Sequence, residues 1–312
     1  MQPRENHVEK RELVILGAGP AGLTAAIYGK RAGLDVLIIE RGAGGGQITI
    51  TDEIENWPGT PRISGLDLAQ AFRAHAAHFK AEFRQAEIVS LDLEHGRKIV
   101  DTDQGQVQAG ALVIATGASF CKMGCPGEAE FAGRGVSYCA VCDAAFFEDQ
   151  IVAVVGGGNT AVEEALYLTR FASKVYLVHR RDSFRAHRTA VERCLANPKI
   201  EPVLDSVVEA IRGQDTVESV SLRNVRTGLV CELAVSGVFL FVGTAPNTCW
   251  RIDTVAATPE GWIITDERME TSVPGVFAAG DVRQTSLRQV VTAAGDGARA
   301  AMSAYHYLTA KP

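Results

Sequence analysis

Cys139 and Cys142 are separated by two residues, and Asp143 follows the second cysteine directly. Two cysteines at this spacing can close a small disulfide ring, and a thiolate in such a pair commonly has a pKa below that of a free thiol. An adjacent carboxyl group can give a proton to the sulfurs or take one from them. The stretch from Ser137 to Asp143 therefore predicts a redox-active dithiol, and other parts of the chain must supply its electrons.

The composition is that of a globular enzyme. The chain has 312 residues, 46% of them hydrophobic, and a net charge of −6, which gives no electrostatic case for nucleic acid or an anionic membrane as partner. The apolar runs are too short to span a bilayer, and the polar N-terminus lacks a signal-peptide pattern. Seven cysteines, an odd number, argue against a structural disulfide framework, so we expect a cytoplasmic protein.

The first glycine-rich turn follows a short apolar strand at residues 13–16. It reads Gly-Ala-Gly-Pro-Ala-Gly at residues 17–22, and a helical pattern and a second apolar strand ending on Glu40 come next. Glycines in this order permit a tight turn and a close approach of a pyrophosphate to the helix N-terminus. A carboxylate at the end of the second strand can accept hydrogen bonds from a ribose diol. This order predicts an adenine-dinucleotide site.

A second glycine-rich segment runs from Gly42 to Gln47. Four of its six residues are glycines, too many for the interior of a helix or strand. The segment is either a flexible loop or backbone brought close to an extended cofactor. In the second case, Gln47 and Asn56 would donate amide hydrogen bonds to that cofactor.

The next segments supply an amphipathic helix and several strands. Residues 66–83 have apolar residues at helical spacing. Strands are predicted over residues 88–93, 98–101 and 106–108, and over residues 112–117, which end in a glycine turn.

The glycine-rich turn at residues 156–161 repeats the first arrangement after another apolar strand. Where the first copy ends on Glu40, this one ends on His179, Arg180 and Arg181, with Arg185 close behind. A carboxylate at this point suits the free 2′-hydroxyl of FAD or NAD, whereas guanidinium groups suit the 2′-phosphate of NADPH. The alternative is a solvated basic turn. We therefore predict that FAD binds at the glycine-rich turn of residues 17–22 and NADPH at that of residues 156–161.

Two further segments combine an apolar strand with a glycine turn. Residues 238–244 and 275–281 each place an apolar strand before a glycine turn, and Asp281 can accept hydrogen bonds from a polyol. A helix is predicted over residues 290–308. The order of these signals indicates an α/β fold with two Rossmann-like dinucleotide-binding domains, one inserted into the other. Residues 1–118 and 245–312 would form the FAD domain, and residues 119–244 the NADPH domain that carries the CxxC pair.

Seven motifs together make the chain resemble the bacterial low-molecular-weight thioredoxin reductases. The resemblance covers nearly the whole length, and the motifs occur in order. They are GAGPAG at 17–22, GGQITITDEIENWPG at 45–59, ATGAS at 115–119, CAVCD at 139–143, GGGNTAVEEA at 156–165, HRRDSFR at 179–185 and GVFAAGD at 275–281.

The resemblance implies an NADPH-dependent thioredoxin-disulfide reductase. Electrons would pass from NADPH to FAD, to the Cys139–Cys142 disulfide, and on to a thioredoxin-like protein. Cys139 would attack the partner, Cys142 would face the flavin, and Asp143 would protonate the leaving thiolate. The resemblance also implies a homodimer in which the NADPH domain rotates. Since the dithiol and the NADPH site belong to the same inserted domain, both cannot face one flavin at once.

The resemblance also implies the cofactor contacts. Those for FAD are Gly17, Gly19, Pro20, Ala21, Gly22, Glu40, Arg41, Gly46, Gln47, Asn56, Ala115, Thr116, Gly117, Gly280, Asp281, Arg288, Gln289 and Val290. Those for NADPH are Gly156, Gly158, Asn159, Thr160, Ala161, His179, Arg180, Arg181 and Arg185.

Some features depart from the family or permit other interpretations. Ala144 and Ala145 stand where relatives usually have glycine and an aromatic residue. Cys121 and Cys125 are additional, and with the CxxC pair they provide four thiolates, enough for a structural zinc site; we expect no metal. The remaining alternatives are a flavin-dependent dithiol oxidase, a related flavoprotein reductase with another disulfide partner, and a redox-inactive nucleotide-binding regulator, which would leave CAVCD unexplained.

Overall fold

The computed structural model describes residues 8–51, 53–248 and 254–310. The chain forms two compact units. One comprises residues 1–119 and 245–312, and the other comprises residues 120–244, so that the second unit is inserted into the first along the chain. Both contain parallel sheets with helices, which confirms the predicted α/β class. Which cofactor each unit holds stays a prediction.

The helices and strands are numbered in chain order. The strands are β1 (Glu9–Leu16), β2 (Val36–Glu40), β3 (Glu82–Gln85), β4 (Ile88–Asp92), β5 (Ile99–Thr102), β6 (Gly105–Ile114), β7 (Ala118–Phe120), β8 (Val136–Ser137), β9 (Ile151–Val155), β10 (Lys174–Val178), β11 (Ile200–Val203), β12 (Ser206–Gly213), β13 (Val217–Asn224), β14 (Val230–Ala234), β15 (Gly237–Leu240), β16 (Thr244–Pro246) and β17 (Val276–Ala278). The helices are α1 (Pro20–Arg31), α2 (Gly65–His78), α3 (Ala140–Asp143), α4 (Asn159–Leu168), α5 (Arg188–Leu195) and α6 (Val290–Thr309).

The main sheet of the first unit is built around β1. Its strand order is β3-β2-β1-β6-β5-β4, and β17 pairs with β6. β1 runs parallel to β2 and β6, whereas β5 is antiparallel to both β4 and β6. Residues 13–16 are fully buried, as expected for a continuous apolar run in a parallel sheet covered on both faces.

Helices α1 and α6 pack closely because small residues lie between them. A Cβ atom on Gly297 of α6 would lie 2.1 Å from the carbonyl oxygen of Ala21 in α1. A methyl group there would overlap backbone that cannot move without shifting the helix. The bare backbone of Gly297 therefore fixes how near α6 comes to the first glycine-rich turn.

The second unit has its own parallel sheet, in the order β11-β10-β9-β15-β8. A three-stranded antiparallel sheet, β12-β13-β14, follows β11 along the chain. The fully buried Phe239 of β15 packs edge-on against Phe147, with ring centroids 5.2 Å apart. Within the residues that the structure describes, no helix combines the length and apolar character needed to cross a bilayer.

The predicted helix over residues 66–83 is wrong at its C-terminal end. Helix α2 ends at His78, and Glu82–Gln85 forms strand β3. Between them, Lys80 has a φ of 59°, a left-handed conformation that ends a right-handed helix. Phe79 extends the apolar spacing beyond the last helical residue, His78, which is why the pattern looks longer than the helix.

Two predicted strand boundaries are also corrected. Residues 106–108 and 112–117 are expected as separate strands, but residues 106–108 and 112–114 belong to the single strand β6, which ends at Ile114. Strand β15 ends at Leu240, so the predicted strand over residues 238–244 is too long. In both cases the chain leaves the sheet before the glycine turn, and the apolar run continues into the turn itself.

The two glycines of α6 test the role of close packing. Gly297→Ala should lower the free energy of unfolding by roughly 1–3 kcal/mol, because the added methyl group overpacks the contact with α1. Gly295→Ala is the matched control, since its Cβ would have no atom within 4 Å; it should raise stability by roughly 0.5–1 kcal/mol through helix propensity. Thermal denaturation followed by circular dichroism measures both. Equal shifts in Tm would contradict the packing argument.

Candidate functional site

Cys139 and Cys142 form a disulfide whose Cα atoms are 5.3 Å apart, within the usual range for such bonds. Cys139 is the N-cap of α3, a single helical turn that contains Cys142 and Asp143. The backbone N–H of Cys142 donates to Cys139 Sγ at 3.2 Å. A donor at this sulfur favours its negative form once the disulfide is reduced. The turn thus places a backbone donor at the sulfur of Cys139.

Asp143 is linked to the redox pair through Ser137. The Ser137 hydroxyl donates to Asp143 Oδ2 at 2.6 Å, and Ser137 Oγ accepts from the Cys139 N–H at 3.1 Å. Ser137 is only 5% exposed. The three predicted catalytic residues are therefore brought together on one turn, and a buried hydroxyl that the sequence did not single out connects the acid to the backbone of Cys139.

Tyr138, which directly precedes Cys139, is held by a ring contact and a hydrogen bond. Its ring stacks on Phe120 with centroids 5.1 Å apart, and its hydroxyl donates to Glu128 Oε1 at 2.9 Å. Glu128 is 2% exposed and also accepts from the backbone N–H groups of Met123 and Gly124. Burial, together with this carboxylate, raises the pKa of Tyr138. These contacts hold the residue before Cys139 in one orientation.

The structure offers no set of four thiolates for the zinc alternative. Cys139 and Cys142 are bonded to each other. Burial and then the charge of Glu128 raise the pKa of the Cys125 thiol, and burial raises the pKa of Cys194 to about 11. In the described part of the chain, no group of three or more His, Cys, Asp or Glu side chains could hold a metal ion.

The first glycine-rich turn makes a tight backbone contact with β6. Gly17 has a φ of 100°, and a Cβ atom there would lie 2.4 Å from the carbonyl oxygen of Ala115. A Cβ on Gly22 would lie 1.9 Å from the carbonyl oxygen of Gly17. Gly19 is the N-cap of α1 and has no side chain to satisfy the first N–H groups of the helix. The turn therefore leaves a helix N-terminus open to an anion.

Glu40 and the second glycine segment lie against the same turn. Glu40 accepts from the N–H of Ala18 at 2.8 Å and from the N–H of Gly42 at 2.9 Å. The N–H of Gly45 donates to the carbonyl of Ala18 at 2.7 Å, and a Cβ on Gly46 would lie 3.2 Å from Gly19 Cα. The two glycine segments are thus in contact, with the carboxylate fixed at their edge.

The motif at residues 275–281 and the N-terminus of α6 lie against the glycine-rich turn of residues 17–22. A Cβ on Gly280 would lie 2.9 Å from the Cβ of Ala21, and Val290 is the first residue of α6. Asn56 Nδ2 donates to Gln289 Oε1 at 3.1 Å, so two residues distant in sequence are paired. Residues predicted to contact one cofactor therefore converge from both ends of the chain.

The charged groups at this end are partly unsatisfied. Burial, together with the charge of Asp296, raises the pKa of Asp281 to about 6. The charge of Arg288 opposes this rise. The Arg288 guanidinium lies 4.0 Å from the centre of the Trp262 ring, and its buried Nε has no hydrogen-bond partner among the described residues. The Gly280 N–H donates to Asp296 Oδ2 at 3.2 Å. A buried donor and a half-buried acid are therefore in place for a polar ligand.

The remaining predicted contacts of this group make bonds within the first unit. Gln47 Nε2 donates to the carbonyl of Ala118. Thr116 Oγ1 donates to the carbonyl of Asn247 at 2.8 Å, and Asn247 Nδ2 returns a bond to the carbonyl of Thr116 at 2.9 Å. The backbone of Gly117 accepts from the Asn247 N–H at 2.9 Å, whereas the exposed Arg41 is reached only through its carbonyl, by Gln85 Nε2 at 3.2 Å.

The residues of the first unit fit FAD. Two glycine segments and the open N-terminus of α1 suit a pyrophosphate. The fixed carboxylate of Glu40 suits a ribose diol. The half-buried Asp281 and the buried Nε of Arg288 suit the hydroxyl and carbonyl groups of a flavin with its polyol chain.

The second glycine-rich turn repeats the first in the inserted unit. Gly156 has a φ of 156°, and a Cβ there would lie 2.6 Å from the carbonyl oxygen of Phe241, as Gly17 meets Ala115. Gly158 is the N-cap of α4, which runs on through Asn159, Thr160 and the buried Ala161. This helix N-terminus is likewise open to an anion.

His179 occupies the place that Glu40 has in the first unit. It is 6% exposed, and a Cβ on Gly157 would lie 2.2 Å from its ring. Burial, and then the charges of Arg185, Arg181 and Arg180, lower the pKa of His179. The ring is therefore neutral near pH 7, and its buried Nε2 has no hydrogen-bond partner among the described residues.

The arginine segment is attached to the second turn at two points. The Arg185 N–H donates to the carbonyl of Gly157 at 2.7 Å, and the His187 N–H donates to Asn159 Oδ1 at 2.8 Å. Arg180, Arg181 and Arg185 are exposed. Within the described residues they take part in no ion pair, so their guanidinium groups are available. The set fits the 2′-phosphate of NADPH.

Sequence reasoning missed three residues that organise these sites: Ser137, Asn247 and Asp296. Asn247 had a detectable signal, because it follows a glycine turn that echoes residues 115–119. The signal for Ser137 was only its place beside CAVCD. Asp296 had no signal, since its role arises from the Gly280 backbone, distant in sequence.

A family model described as pyridine nucleotide-disulphide oxidoreductase matches residues 11–297. The thioredoxin reductase of Peptoclostridium acidaminophilum is 46% identical over 306 residues, covering 96% of this chain and 97% of its own. That of Bacillus subtilis is 46% identical over 298 residues, covering 95% of this chain and 94% of its own. The crystal structure of a Streptococcus pyogenes thioredoxin reductase, 48% identical, superposes with a TM-score of 0.93 and covers 96% of this chain and 99% of its own.

The raised pKa of Asp281 predicts that nucleotide-free protein is destabilised as pH rises. A folded pKa of about 6 against an ordinary 3.8 means that the charged form opposes folding, so stability is lost between these values. Asp281→Asn should therefore stabilise the nucleotide-free protein at pH 8 by up to about 3 kcal/mol, with little effect at pH 3.5. Thermal denaturation at both pH values measures this. Asp101→Asn, on β5, is the control, and equal effects of Asp281→Asn at both pH values would contradict the prediction.

Proposed function

Since the chain belongs to the pyridine nucleotide-disulphide oxidoreductase family, as a thioredoxin reductase that uses FAD and NADPH, we propose that Cys139 and Cys142 pass electrons from these cofactors to the disulfide of a thioredoxin. The observation that most directly supports these roles is the closed Cys139–Cys142 disulfide with Asp143 attached to the same turn. A redox-inactive regulator would have no use for this arrangement.

Cys139 provides the sulfur that attacks the partner protein's disulfide. In the reduced protein its thiolate, favoured by the Cys142 N–H, attacks one sulfur of the partner's disulfide. A mixed disulfide forms, and the other partner sulfur leaves as a thiolate, which takes a proton from Asp143. Asp143, ionised again, takes the proton of the Cys142 thiol, and the Cys142 thiolate then attacks Cys139 Sγ. The second partner sulfur leaves as a thiolate and takes that proton from Asp143. This closes the Cys139–Cys142 disulfide and releases the partner with both sulfurs reduced, so two electrons and two protons have been transferred.

The closed disulfide must be reduced again before the next cycle. That reduction takes two electrons and two protons, and this is the chemistry that bound FAD supplies with the hydride of NADPH. The direction is feasible, because thioredoxin has a potential of roughly −270 mV, which a dithiol fed by NADPH can reach. Asp143 serves this step also, as the group that holds a proton beside the sulfurs.

The first unit is the one that holds FAD. The glycine turn at residues 17–22 and the loop ending at Gln47 would hold the pyrophosphate, and Glu40 would accept hydrogen bonds from the adenosine ribose. Asp281 and the end of α6 hold the flavin and its polyol. The supporting observations are the mutual contacts of these segments and the unpartnered Nε of Arg288.

The inserted unit holds NADPH as well as the dithiol. Arg180, Arg181 and Arg185 would bind the 2′-phosphate, and the His179 ring packs against Gly157 of the same turn. Because the nucleotide contacts and the dithiol belong to the same unit, that unit presents them to the flavin in turn. We further infer a homodimer that acts in the cytoplasm, supported by the shared motifs and by an odd cysteine count typical of proteins without structural disulfides.

Removing the second redox cysteine should uncouple flavin binding from thioredoxin reduction. Cys142→Ser should retain a full complement of FAD, because the cysteine lies in the other unit. It should lose thioredoxin reduction by NADPH, because the disulfide can no longer close. Anaerobic stopped-flow absorbance of the flavin, with NADPH and then oxidised thioredoxin, measures both. Cys231→Ser, an exposed cysteine of β14, is the control. Undiminished thioredoxin reduction by Cys142→Ser would contradict the proposed role of the cysteine pair.

The arginine pair should discriminate the two nicotinamide nucleotides. Replacing Arg180 and Arg181 by alanine should raise the KM for NADPH by roughly 10- to 100-fold, because charge-assisted hydrogen bonds to the 2′-phosphate are lost. The KM for NADH should change little. Steady-state kinetics with each nucleotide measures the ratio, and Arg193→Ala, an exposed residue of α5, is the matched control. If both KM values rise equally, these arginines do not read the phosphate.

A further inference from the structure

Ser137 is buried at the end of β8, and its hydroxyl has three polar neighbours. Asp143 Oδ2 lies at 2.6 Å, the Cys139 N–H nitrogen at 3.1 Å and the Cys139 carbonyl oxygen at 3.3 Å. All three atoms belong to Cys139 or Asp143, on the turn that carries the redox pair. The side chain therefore contacts the proposed acid and the backbone of the attacking cysteine simultaneously.

A hydroxyl has one proton to donate and two lone pairs that can accept. The N–H of Cys139 can only donate, so Ser137 Oγ accepts from it in every state. The single hydroxyl proton then has two acceptors within reach, the Asp143 carboxylate and the Cys139 carbonyl. When Asp143 is ionised, the shorter contact at 2.6 Å is a charge-assisted hydrogen bond, which is the stronger of the two.

We propose that Ser137 is a positioning residue for the proton transfer of Asp143, and that its hydroxyl turns between Asp143 and the Cys139 carbonyl as Asp143 loses and regains its proton. This inference rests on the role of Asp143 proposed above. Ser137 stabilises the ionised carboxylate. When Asp143 is protonated, the hydroxyl proton moves to the carbonyl, and Ser137 Oγ still fixes the turn through the N–H of Cys139.

The proton balance is closed within the turn. The ionised Asp143 takes one proton from a thiol of the reduced pair, which leaves a thiolate for attack. The protonated Asp143 later gives that proton to the partner's leaving thiolate and is ionised again. The Ser137 proton only changes its acceptor, so Ser137 neither gains nor loses a proton in the cycle.

Other ionisable groups border this turn, and they remain the same in each comparison. Helix α3 packs against α4, whose acidic residues are Glu163 and Glu164; burial, and then Glu163, raise the pKa of Glu164. The 3-10 turn at Ala144–Phe147 also packs against α3 and has no ionisable side chain. Cys139 and Cys142 lie on the same turn, and Tyr138, which donates to Glu128, directly precedes it.

The experiment measures the rate at which pre-reduced holoenzyme reduces oxidised thioredoxin as a function of pH. Asp143→Asn identifies the inflection that belongs to Asp143, because that inflection disappears. Ser137→Ala removes the hydroxyl and Ser137→Thr restores it. Ser206→Ala is the matched control, since Ser206 is a buried serine of the same unit whose Oγ donates to the carbonyl of Leu204 at 2.9 Å.

Ser137→Ala should move the Asp143 inflection to higher pH by about one unit, since the lost bond favoured the ionised carboxylate. Ser137→Thr should return it toward the wild-type position, and Ser206→Ala should leave it in place. In the Asp143→Asn background, Ser137→Ala should have no further effect on the profile. A merely structural role for Ser137 would lower stability or rate without moving the inflection.

Two outcomes would overturn the proposal: an unmoved inflection in folded Ser137→Ala, or an equal movement in Ser206→Ala. If Ser137→Ala does not fold, Asp143→Glu tests the same contact from the other side, because the longer side chain displaces the carboxylate from Ser137. An unmoved inflection there would also overturn it.

A second measurement separates this inference from the proposed function. The pH dependence of iodoacetamide alkylation of the reduced cysteine pair reports the ionisation of Asp143 without any partner protein. If wild-type holoenzyme fails to reduce thioredoxin, the proposed function fails, yet the alkylation profiles of wild type and Ser137→Ala still decide the role of Ser137. A shift of about one unit in the Asp143 inflection supports it, and coincident profiles reject it.

Discussion

Backbone-to-backbone contact at the two glycine-rich turns is the constraint on which both units depend. In each unit the first glycine approaches a carbonyl of a neighbouring strand segment, Ala115 in one and Phe241 in the other. A side chain at either glycine would push the following helix away from the sheet. Because the helix can come close, its N-terminus lies at the strand ends, where the Glu40 carboxylate or the His179 ring completes the site. The same backbone geometry is therefore repeated in both units.

The parallel sheets could be predicted from the sequence because their strands are continuous apolar runs bounded by glycines. Residues 13–16 and 174–178 behave as the pattern indicates. The antiparallel sheet β12–β14 was not predicted, because its strands are mostly half-exposed and mix charged with apolar residues. The end of α2 was missed for a different reason, since the left-handed conformation of Lys80 is not encoded by a glycine.

The residues of the candidate site could be predicted wherever a motif keeps them close in sequence. Cys139, Cys142 and Asp143 share one helical turn, and the spacing alone brings them together. The supporting contacts could not be predicted, since they join segments far apart along the chain. Asn56 meets Gln289 across 233 residues, and only the folded sheet brings such pairs together. The sequence therefore specifies the reacting groups better than the groups that orient them.

The burial of two spare thiols determines how the chain responds to chemical stress. Cys125 and Cys194 have raised pKa values, and a protonated thiol is a poor target for peroxides and electrophiles. Among the described free cysteines, only Cys121 and Cys231 are exposed. Oxidants therefore act on the surface and on the reduced redox pair, whose disulfide is reversible. Oxidation of the redox pair therefore yields the disulfide that the proposed cycle itself reduces, and the two protonated thiols of Cys125 and Cys194 are poor targets beside it.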